Sequence, residues 1–434
     1  MTAAPLTILQ LFLKLLAKFT ILRYKPGVVG VTGSVGKTSA KEAIRTVLSY
    51  DRRVRAPSKS FNNELGLPLT IIGDYTKTGG AFFWLAAMIR GIFRLIFQSR
   101  RYPEILVLEY GVDRPGDMKY LLGIARPHVG ILTAVGEVPV HVEFFSGPEA
   151  VLREKSRLIT QLPVTGFAIL NADEPAILEL RTQTRAHVIT FGFSDRADLR
   201  ISNLTNRFEG GRAGLSFKLS YGGSFVPVRL EDVVGRPQAI AAAIGAATGL
   251  IFGMNLVKIA EALSHYQAPA GRFRVLKGIK HTTLIDDTYN ASPLSMCEAL
   301  ETLKSMRGKR KIAVLGDMLE IGKYTLQSHE AAGRLAASAV HVLITVGLRG
   351  KFIAEAAVKA GLSKRSVFTF TNVREAGLFL QEKLQEGDLA LLKASQAVRL
   401  EKVVKEVMAD PARAAELLVR QNQEWLAKPG LYDE

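Results

Sequence analysis

Cysteine is almost missing: Cys297 is alone in 434 residues. A single thiol excludes an internal disulfide and any metal site built from several cysteines, and it suits a reducing cytoplasm. Acidic residues are in deficit, 40 Asp and Glu against 57 Lys and Arg, giving a formal net charge of +17. There is no low-complexity tract and no internal repeat, which excludes a solenoid. The first apolar run has no basic residue before it and no small-x-small site after it, so no signal peptide is expected. At 48% hydrophobic and 22% charged residues the composition is that of a globular chain, neither disordered nor collagen-like. At roughly 150 residues per domain, the length predicts two or three domains.

The positive charge is concentrated. Residues 1–101 hold 16 basic and 4 acidic side chains, a local balance of +12. Such asymmetry predicts an anionic partner: a nucleotide, a nucleic acid or an anionic lipid. Nucleic acid is the weakest of these, because the basic residues are not interleaved with aromatics in a recognisable module. Two stretches of this region are amphipathic. In residues 6–22, Thr7, Gln10, Lys14 and Lys18 form one polar stripe on an otherwise apolar helix. That run is about 25 Å long as a helix, short of a hydrocarbon core of about 30 Å. Residues 82–97 repeat the design, with Arg90, Arg94 and Gln98 on the stripe. Two readings stand: helices packed on a core or on each other, or a peripheral anchor on an anionic membrane.

From Gly27 onward short apolar runs alternate with helical patterns. Buried strands are expected at 28–31, 105–108, 130–133 and 168–170, and helices at 39–48 and 148–162. The fold class is therefore α/β, with a central P-loop ATPase domain on a mainly parallel sheet. Residues 187–230 read as antiparallel strands with Gly-Gly turns. Residues 236–252 are Ala-rich and helical. QAPAG at 267–271 punctuates the chain. After it, strands at 283–285, 311–315, 340–346, 366–370 and 389–392 predict a Rossmann-like C-terminal domain. The expected division is an N-terminal amphipathic helix (1–26), a central ATP-binding domain (27–267) and a C-terminal domain (268–434).

The strongest motif is VVGVTGSVGKTSAKEAI, residues 28–44. A strand runs into Gly33, Ser34, Val35, Gly36, Lys37, Thr38 and Ser39, and a helix follows. The glycines let backbone N–H groups face phosphate oxygens at a helix N-terminus. Lys37 is placed for the β/γ-phosphates and Thr38 for Mg²⁺. Position 31 is Val, so the usual eight-residue spacing is shortened to G-x-x-G-K-T. Glu109, at the end of a buried strand, is a candidate oxygen ligand for Mg²⁺. His141 lies in a loop after the next strand, and Lys155 follows on a helix. Beyond QAPAG, Arg272 can reach across the interdomain cleft. Asp286, Asp287, Tyr289 and Asn290 read as a loop after a strand ending at Ile285, suited to ribose and base contacts. Asp317, Glu320, His329, Lys393 and Ser395 follow later strands. Cys297, in a Met296/Leu300/Leu303 pattern, is expected in the core.

Together the motifs TGSVGKTS, NNELGLPLT, LEYG, the His141-to-Lys155 spacing, LNADEP, AGRF, IDDTYNASPLSM, GDMLEIG and LKAS resemble the Mur ligase family. These are ATP-dependent amide ligases of cell-wall precursor synthesis, and the resemblance runs from about Gly27 to Met408. It implies an ADP-forming acid–amino-acid ligase in the cytoplasm, using ATP and two Mg²⁺ and working as a monomer. A precursor carboxylate would be phosphorylated to an acyl phosphate, then joined to an amino acid or dipeptide. The same chemistry on a lipid-linked or poly-amino-acid acceptor is the alternative. Carried over, Lys37, His141, Lys155 and Arg272 are the catalytic group. Thr38, Glu109, His141 and Lys155 are the metal set, with Lys155 carbamylated. The phosphate loop, Asp287, Tyr289 and Asn290 hold the nucleotide. Three departures are visible. Only 26 residues precede the phosphate-loop strand, so the family's UDP-holding domain is expected to be absent. Gly-x-His-Asn is replaced by Gly235-Arg236-Pro237-Gln238, and Lys-Gly-Ser by Lys393-Ala394-Ser395.

Overall fold

The computed structural model describes residues 3–57, 61–75, 78–97, 99–209 and 212–433. Of the two polar stripes, the Thr7 side chain and Gln98 lie outside the described residues. The first sheet has nine strands: β1 (Gly27–Thr32), β2 (Val54–Arg55), β3 (Ile105–Glu109), β4 (Val129–Leu132), β5 (Phe167–Asn171), β6 (His187–Gly192), β7 (Leu199–Glu209), β8 (Arg212–Tyr221) and β9 (Ser224–Glu231). Their order is β2-β3-β1-β4-β5-β6-β7-β8-β9. β1 lies between β3 and β4, parallel to both. The apolar runs of β1, β3 and β4 fit a strand covered on both faces. β9 instead alternates exposed and buried positions, as a half-buried antiparallel strand does.

Four helices matter for the first domain: α1 (Ala3–Tyr24), α2 (Lys37–Leu48), α3 (Gly66–Ile72) and α4 (Ala81–Ile96). α2 carries the phosphate loop's end and buries Ala43, Ile44 and Val47. It packs on the helix Arg236–Ile251 at a point where Gly245 meets Ala43; a Cβ on Gly245 would lie 2.9 Å from the Ala43 carbonyl oxygen. This close pairing fixes α2, and with it the loop, behind the sheet.

The second sheet has six strands in the order β10-β11-β15-β12-β13-β14. They are β10 (Arg274–Lys277), β11 (Thr283–Asp287), β12 (Lys311–Gly316), β13 (Val342–Val346), β14 (Val367–Phe370) and β15 (Leu389–Lys393). All neighbours are parallel except β10, which runs antiparallel to β11 at the edge. β15 sits between β11 and β12, so the C-terminal ends of these strands open onto one crevice.

The structure corrects three expectations. The run at 187–192 is not antiparallel: β6 pairs parallel with both β5 and β7, and only β7, β8 and β9 form the antiparallel meander. The Gly222-Gly223 turn joins β8 to β9; Gly210 and Gly211 lie outside the described residues. Asp286 and Asp287 belong to strand β11, because pairing with β15 continues to Asp287–Lys393. Cys297 is half-exposed, since Met296 and Leu300, not Cys297, face the core.

α1 has three sectors where its sequence suggested two. Leu13, Leu16, Ala17 and Thr20 are buried. Gln10 and Lys14 turn to neighbouring protein, and the remaining sector is apolar and exposed. α4 packs beside it, with Gly91 against Leu16 and Ile72. The two helices therefore do pack on each other.

Gly245→Val should force α2 and its partner apart and cost about 1–3 kcal/mol, as overpacking does. The check is a lowered denaturant midpoint with an unchanged slope; an unshifted midpoint would show that the pair is loosely packed.

Candidate active site

The phosphate loop is braced from β4. The Ser34 N–H donates to the Ala134 carbonyl (2.6 Å), and Thr133 Oγ1 donates to the Val35 carbonyl (2.5 Å). Gly33 has φ of 147° and Gly36 of 84°. A side chain at Gly33 would place its Cβ 2.1 Å from Thr133 Oγ1. Only glycine meets both demands, and the N-terminus of α2 faces the cavity. Lys37 folds back so that Nζ donates to the Gly33 carbonyl at 2.7 Å.

Glu109 closes the other wall. It is 2% exposed and lies 3.5 Å from Lys41 Nζ, which is equally buried. Thr38 Oγ1 is 3.5 Å from the same carboxylate. Burial pushes the Glu109 carboxyl up, but Lys41, Lys37 and Arg272 outweigh it and hold the group below the usual carboxylate range. Burial depresses the Lys37 ammonium, assisted by Arg272. Lys155, on the helix Pro148–Thr160, is 1% exposed and donates to the Val112 carbonyl at 3.4 Å. Burial, with Lys37 nearby, lowers it to about 7.

His141 sits in the left-handed region at φ 68°. Its Nε2 lies 3.2 Å from Asp113 Oδ1, and its Nδ1 lies 2.9 Å from Glu320 Oε2, without hydrogen-bond alignment. Glu320 comes from the second domain, so this contact spans the cleft. Arg272 spans it too. Its guanidinium lies 3.4 Å from Thr38 Oγ1 and 3.9 Å from the Tyr289 ring centroid. Asp287 receives Lys393 Nζ at 2.5 Å, and Lys393 also donates to the Asn290 carbonyl at 3.0 Å. Burial raises the Asp287 carboxyl while Lys393 opposes the rise. Ser34, Lys37, Glu109, Lys155, Arg272 and Asn290 all line one cavity of ≈ 880 Å³.

Several motif residues instead hold the frame. Asp286 accepts from Thr288 Oγ1 (2.6 Å) and the Gly271 N–H (3.1 Å), and burial lifts it to about 6. Ser292 and Ser295 form a reciprocal cap on the helix Pro293–Ser305. Asp317 accepts from the Arg349 and Gly350 N–H groups and the Tyr432 hydroxyl. His329 Nε2 accepts from the Met318 N–H, and its Nδ1 faces the Thr325 carbonyl. Asn171 donates to the Thr133 carbonyl, and Glu174 accepts from the Val135 and Gly136 N–H groups. LNADEP therefore pins the loop that leads to His141. Lys41 was not anticipated, although it lies one helical turn after Lys37 on the same face. Asn62 also lines the cavity.

Residues 90–236 match the Mur ligase middle domain, and residues 271–396 match the Mur ligase glutamate ligase domain. The UDP-N-acetylmuramoyl-tripeptide--D-alanyl-D-alanine ligase of Bacillus subtilis (strain 168) is 30% identical over 401 residues, spanning 92% of this chain and 79% of that protein. The chain belongs to the Mur ligase family. Two solved structures agree with this Mur ligase fold. MurF from Acinetobacter baumannii superposes with a TM-score of 0.75 at 25% identity, covering 92% of this chain and 81% of that one. MurF ligase from Thermotoga maritima in complex with ADP gives 0.74 at 27% identity, covering 91% and 82%. As a Mur ligase the chain is an ATP-dependent, ADP-forming ligase of the peptidoglycan-precursor type.

The buried Lys393–Asp287 pair joins β15 to β11 under the cavity. Lys393→Met should cost about 3–5 kcal/mol by leaving a buried carboxylate without its cation. Adding Asp287→Leu should restore most of that loss in a double-mutant cycle of denaturant midpoints. Additive losses would show that the two side chains act independently.

Proposed function

We propose that this chain phosphorylates a carboxylate of a cell-wall precursor with ATP and joins it to the amine of an amino acid or dipeptide. The observation that carries this reading is Arg272 of the second domain reaching Thr38 of the phosphate loop across the cavity. An anionic chain laid on the N-terminus of α2 would then meet cations from both domains. Ser34 Oγ and Arg272 Nε are buried without a hydrogen-bond partner among the described residues, which fits a phosphate group as their missing acceptor. In the first step a carboxylate oxygen bonds to the γ-phosphorus and the bond to the β-phosphate oxygen breaks, leaving ADP. In the second the amine bonds to the acyl carbon, inorganic phosphate leaves, and the amine proton passes to solvent or base. Lys37, Arg272 and the α2 N-terminus offset the charge that builds on phosphate.

Thr38, Glu109, His141 and Lys155 are the residues we assign to Mg²⁺, which would supply Lewis-acid neutralisation of the triphosphate. Hard oxygen donors fit at Thr38 and Glu109, which already meet. Lys155 fits only in altered form, because an ammonium there would repel metal. Its depressed basicity supports a route. The neutral amine bonds to the carbon of CO₂, releasing a proton, and the resulting carbamate is an anion. Tyr289 and Asn290, with Asp287 behind them, are assigned to the nucleoside. The groups invoked all come from one polypeptide, so the working unit is taken as a monomer. In the relatives named above the joined parts are a UDP-N-acetylmuramoyl tripeptide and D-alanyl-D-alanine, and we propose the same substrate classes here.

The test is phosphate release against a panel of precursor carboxylates and amines, including that pair. Lys37→Ala should lower kcat by at least about a hundredfold with the fold intact, because it loses charge contacts strengthened in the transition state. Near-normal ADP formation would overturn the ligase assignment for this loop.

The Lys155 assignment has its own readout. Below about pH 7 the Lys155 ammonium fills and cannot take up CO₂. Activity should therefore fall as pH drops through that range, more steeply in bicarbonate-free buffer. Lys155→Ala should be inactive and partly rescued by short carboxylic acids. Bicarbonate-independent activity with no rescue would remove the carbamate.

A further inference from the structure

The exposed face of the α1/α4 pair breaks the usual rule for a surface helix. On α1, Ile8, Leu11, Phe12, Leu15, Phe19 and Leu22 recur at three- and four-residue spacing and all face outward, with Ile8 70% exposed. On α4 the outward stripe is Phe82, Leu85, Ile89, Phe93, Ile96 and, just past its end, Phe97, with Phe82 89% exposed. With Ile92 these make 13 of the 23 large hydrophobic side chains that are exposed among the described residues. The opposite sides of both helices are already satisfied by packing around Leu13, Leu16 and Ile72. The outer stripes are therefore surplus to the fold, and scattered exposed apolar residues do not gather this way without a partner.

The charge around the stripes identifies the partner. Lys14 lies over the Tyr120 ring at 4.3 Å, and Arg94 donates to the Ile72 carbonyl, so these two are used internally. Lys18, Arg23, Lys25, Arg90, Arg100 and Arg101 are exposed on or beside the same helices. Between residues 8 and 25 the chain has no acidic side chain at all. Apolar stripes edged by cations match the layered chemistry of a bilayer surface, acyl chains below anionic headgroups. No helix among the described residues is long and apolar enough to cross a membrane, so the fit is to lying on the surface. The inner side of α1 is tied to the domain near the cavity wall: Gln10 Nε2 donates to Glu64 Oε1 at 3.4 Å, two residues from Asn62.

We propose that the outer faces of α1 and α4 dock this protein on an anionic phospholipid bilayer. The docking needs neither nucleotide nor turnover, so it stands independently of the ligase function proposed above. Flotation of the full chain with vesicles of phosphatidylcholine plus phosphatidylglycerol, and of phosphatidylcholine alone, tests it without ATP. The protein should float with the anionic vesicles at low salt, less at high salt, and weakly with the neutral ones. Phe82→Ser, Ile89→Ser and Phe93→Ser combined should lower partitioning about tenfold or more. Lys18→Glu, Arg23→Glu and Arg90→Glu combined should remove the preference for anionic vesicles. Circular dichroism and phosphate release in solution should be unchanged in both variants. Failure of the folded wild type to float at low salt would overturn the proposal. So would a concentration-dependent dimer that the α4 serines dissociate, since the face would then be covered by a second copy. A chain that floats but does not turn over would count against the ligase function alone.

Discussion

Two lysines and an arginine converge on one buried carboxylate. Lys41, Lys37 and Arg272 all act on Glu109, and Lys155 sits deep in the same cavity. A cluster so unbalanced is costly in a protein interior unless something neutralises it. The fold answers part of the cost by depressing the Lys37 and Lys155 ammonium groups. In the function proposed above, the remainder is met by a bound polyanion. Much of the surrounding architecture serves to hold this imbalance in place. Thr133 and Ala134 brace the loop, the Gly245 contact fixes α2, and the second sheet presents Arg272 from the far side.

The parts of this arrangement that could be read in the sequence are those with local causes. A strand, a glycine turn and a helix start are written in adjacent residues, so the local path from β1 through Gly33 and Gly36 into α2 was legible. So were the parallel strands, because burial on both faces leaves an unbroken apolar run. The division of labour inside the polar motifs was not legible. In IDDTYNASPLSM, Asp286 and Asp287 are identical and adjacent, yet period-two alternation sends one to Thr288 and the other to Lys393. Asp317 and His329 look like site residues and turn out to accept from backbone N–H groups, a choice made by where β13 ends and the helix Thr325–Ala339 begins. β6 carried the same short alternating pattern as its antiparallel neighbours. Its direction was decided by the connection before it, not by its residues.

α1 shows a related limit. A helix that is apolar over two sectors gives a pattern with one narrow polar stripe, and periodicity does not tell which apolar sector is covered. The structure separates them. It also changes the electrostatic argument, because a cation on the stripe need not face solvent. Lys14 spends its charge on Tyr120, and Arg94 on the end of α3. Attraction to an anionic surface must then come from Lys18, Arg23 and Arg90, together with the exposed residues that follow each helix.

The replacement of Gly-x-His-Asn by Gly235-Arg236-Pro237-Gln238 acquires a physical meaning in the same way. Gln238 is buried, donates through Nε2 to the Arg272 carbonyl at 2.6 Å, and accepts from the Tyr266 hydroxyl at 2.7 Å. Its amide is fully engaged on both sides, so its first service is to the backbone that aims Arg272. That backbone is also held by the Gly271 N–H on Asp286, two residues before the turn that carries Tyr289. The arginine that crosses to Thr38 is thus anchored in both domains: by Gln238 of the first through its carbonyl, and by β11 of the second through Gly271. A hinge motion that separated the sheets would have to break the Gln238 bond or carry Arg272 away from the phosphate loop. In the function proposed above, an opening that carried Arg272 away from Thr38 would also remove its charge from the γ-phosphate position.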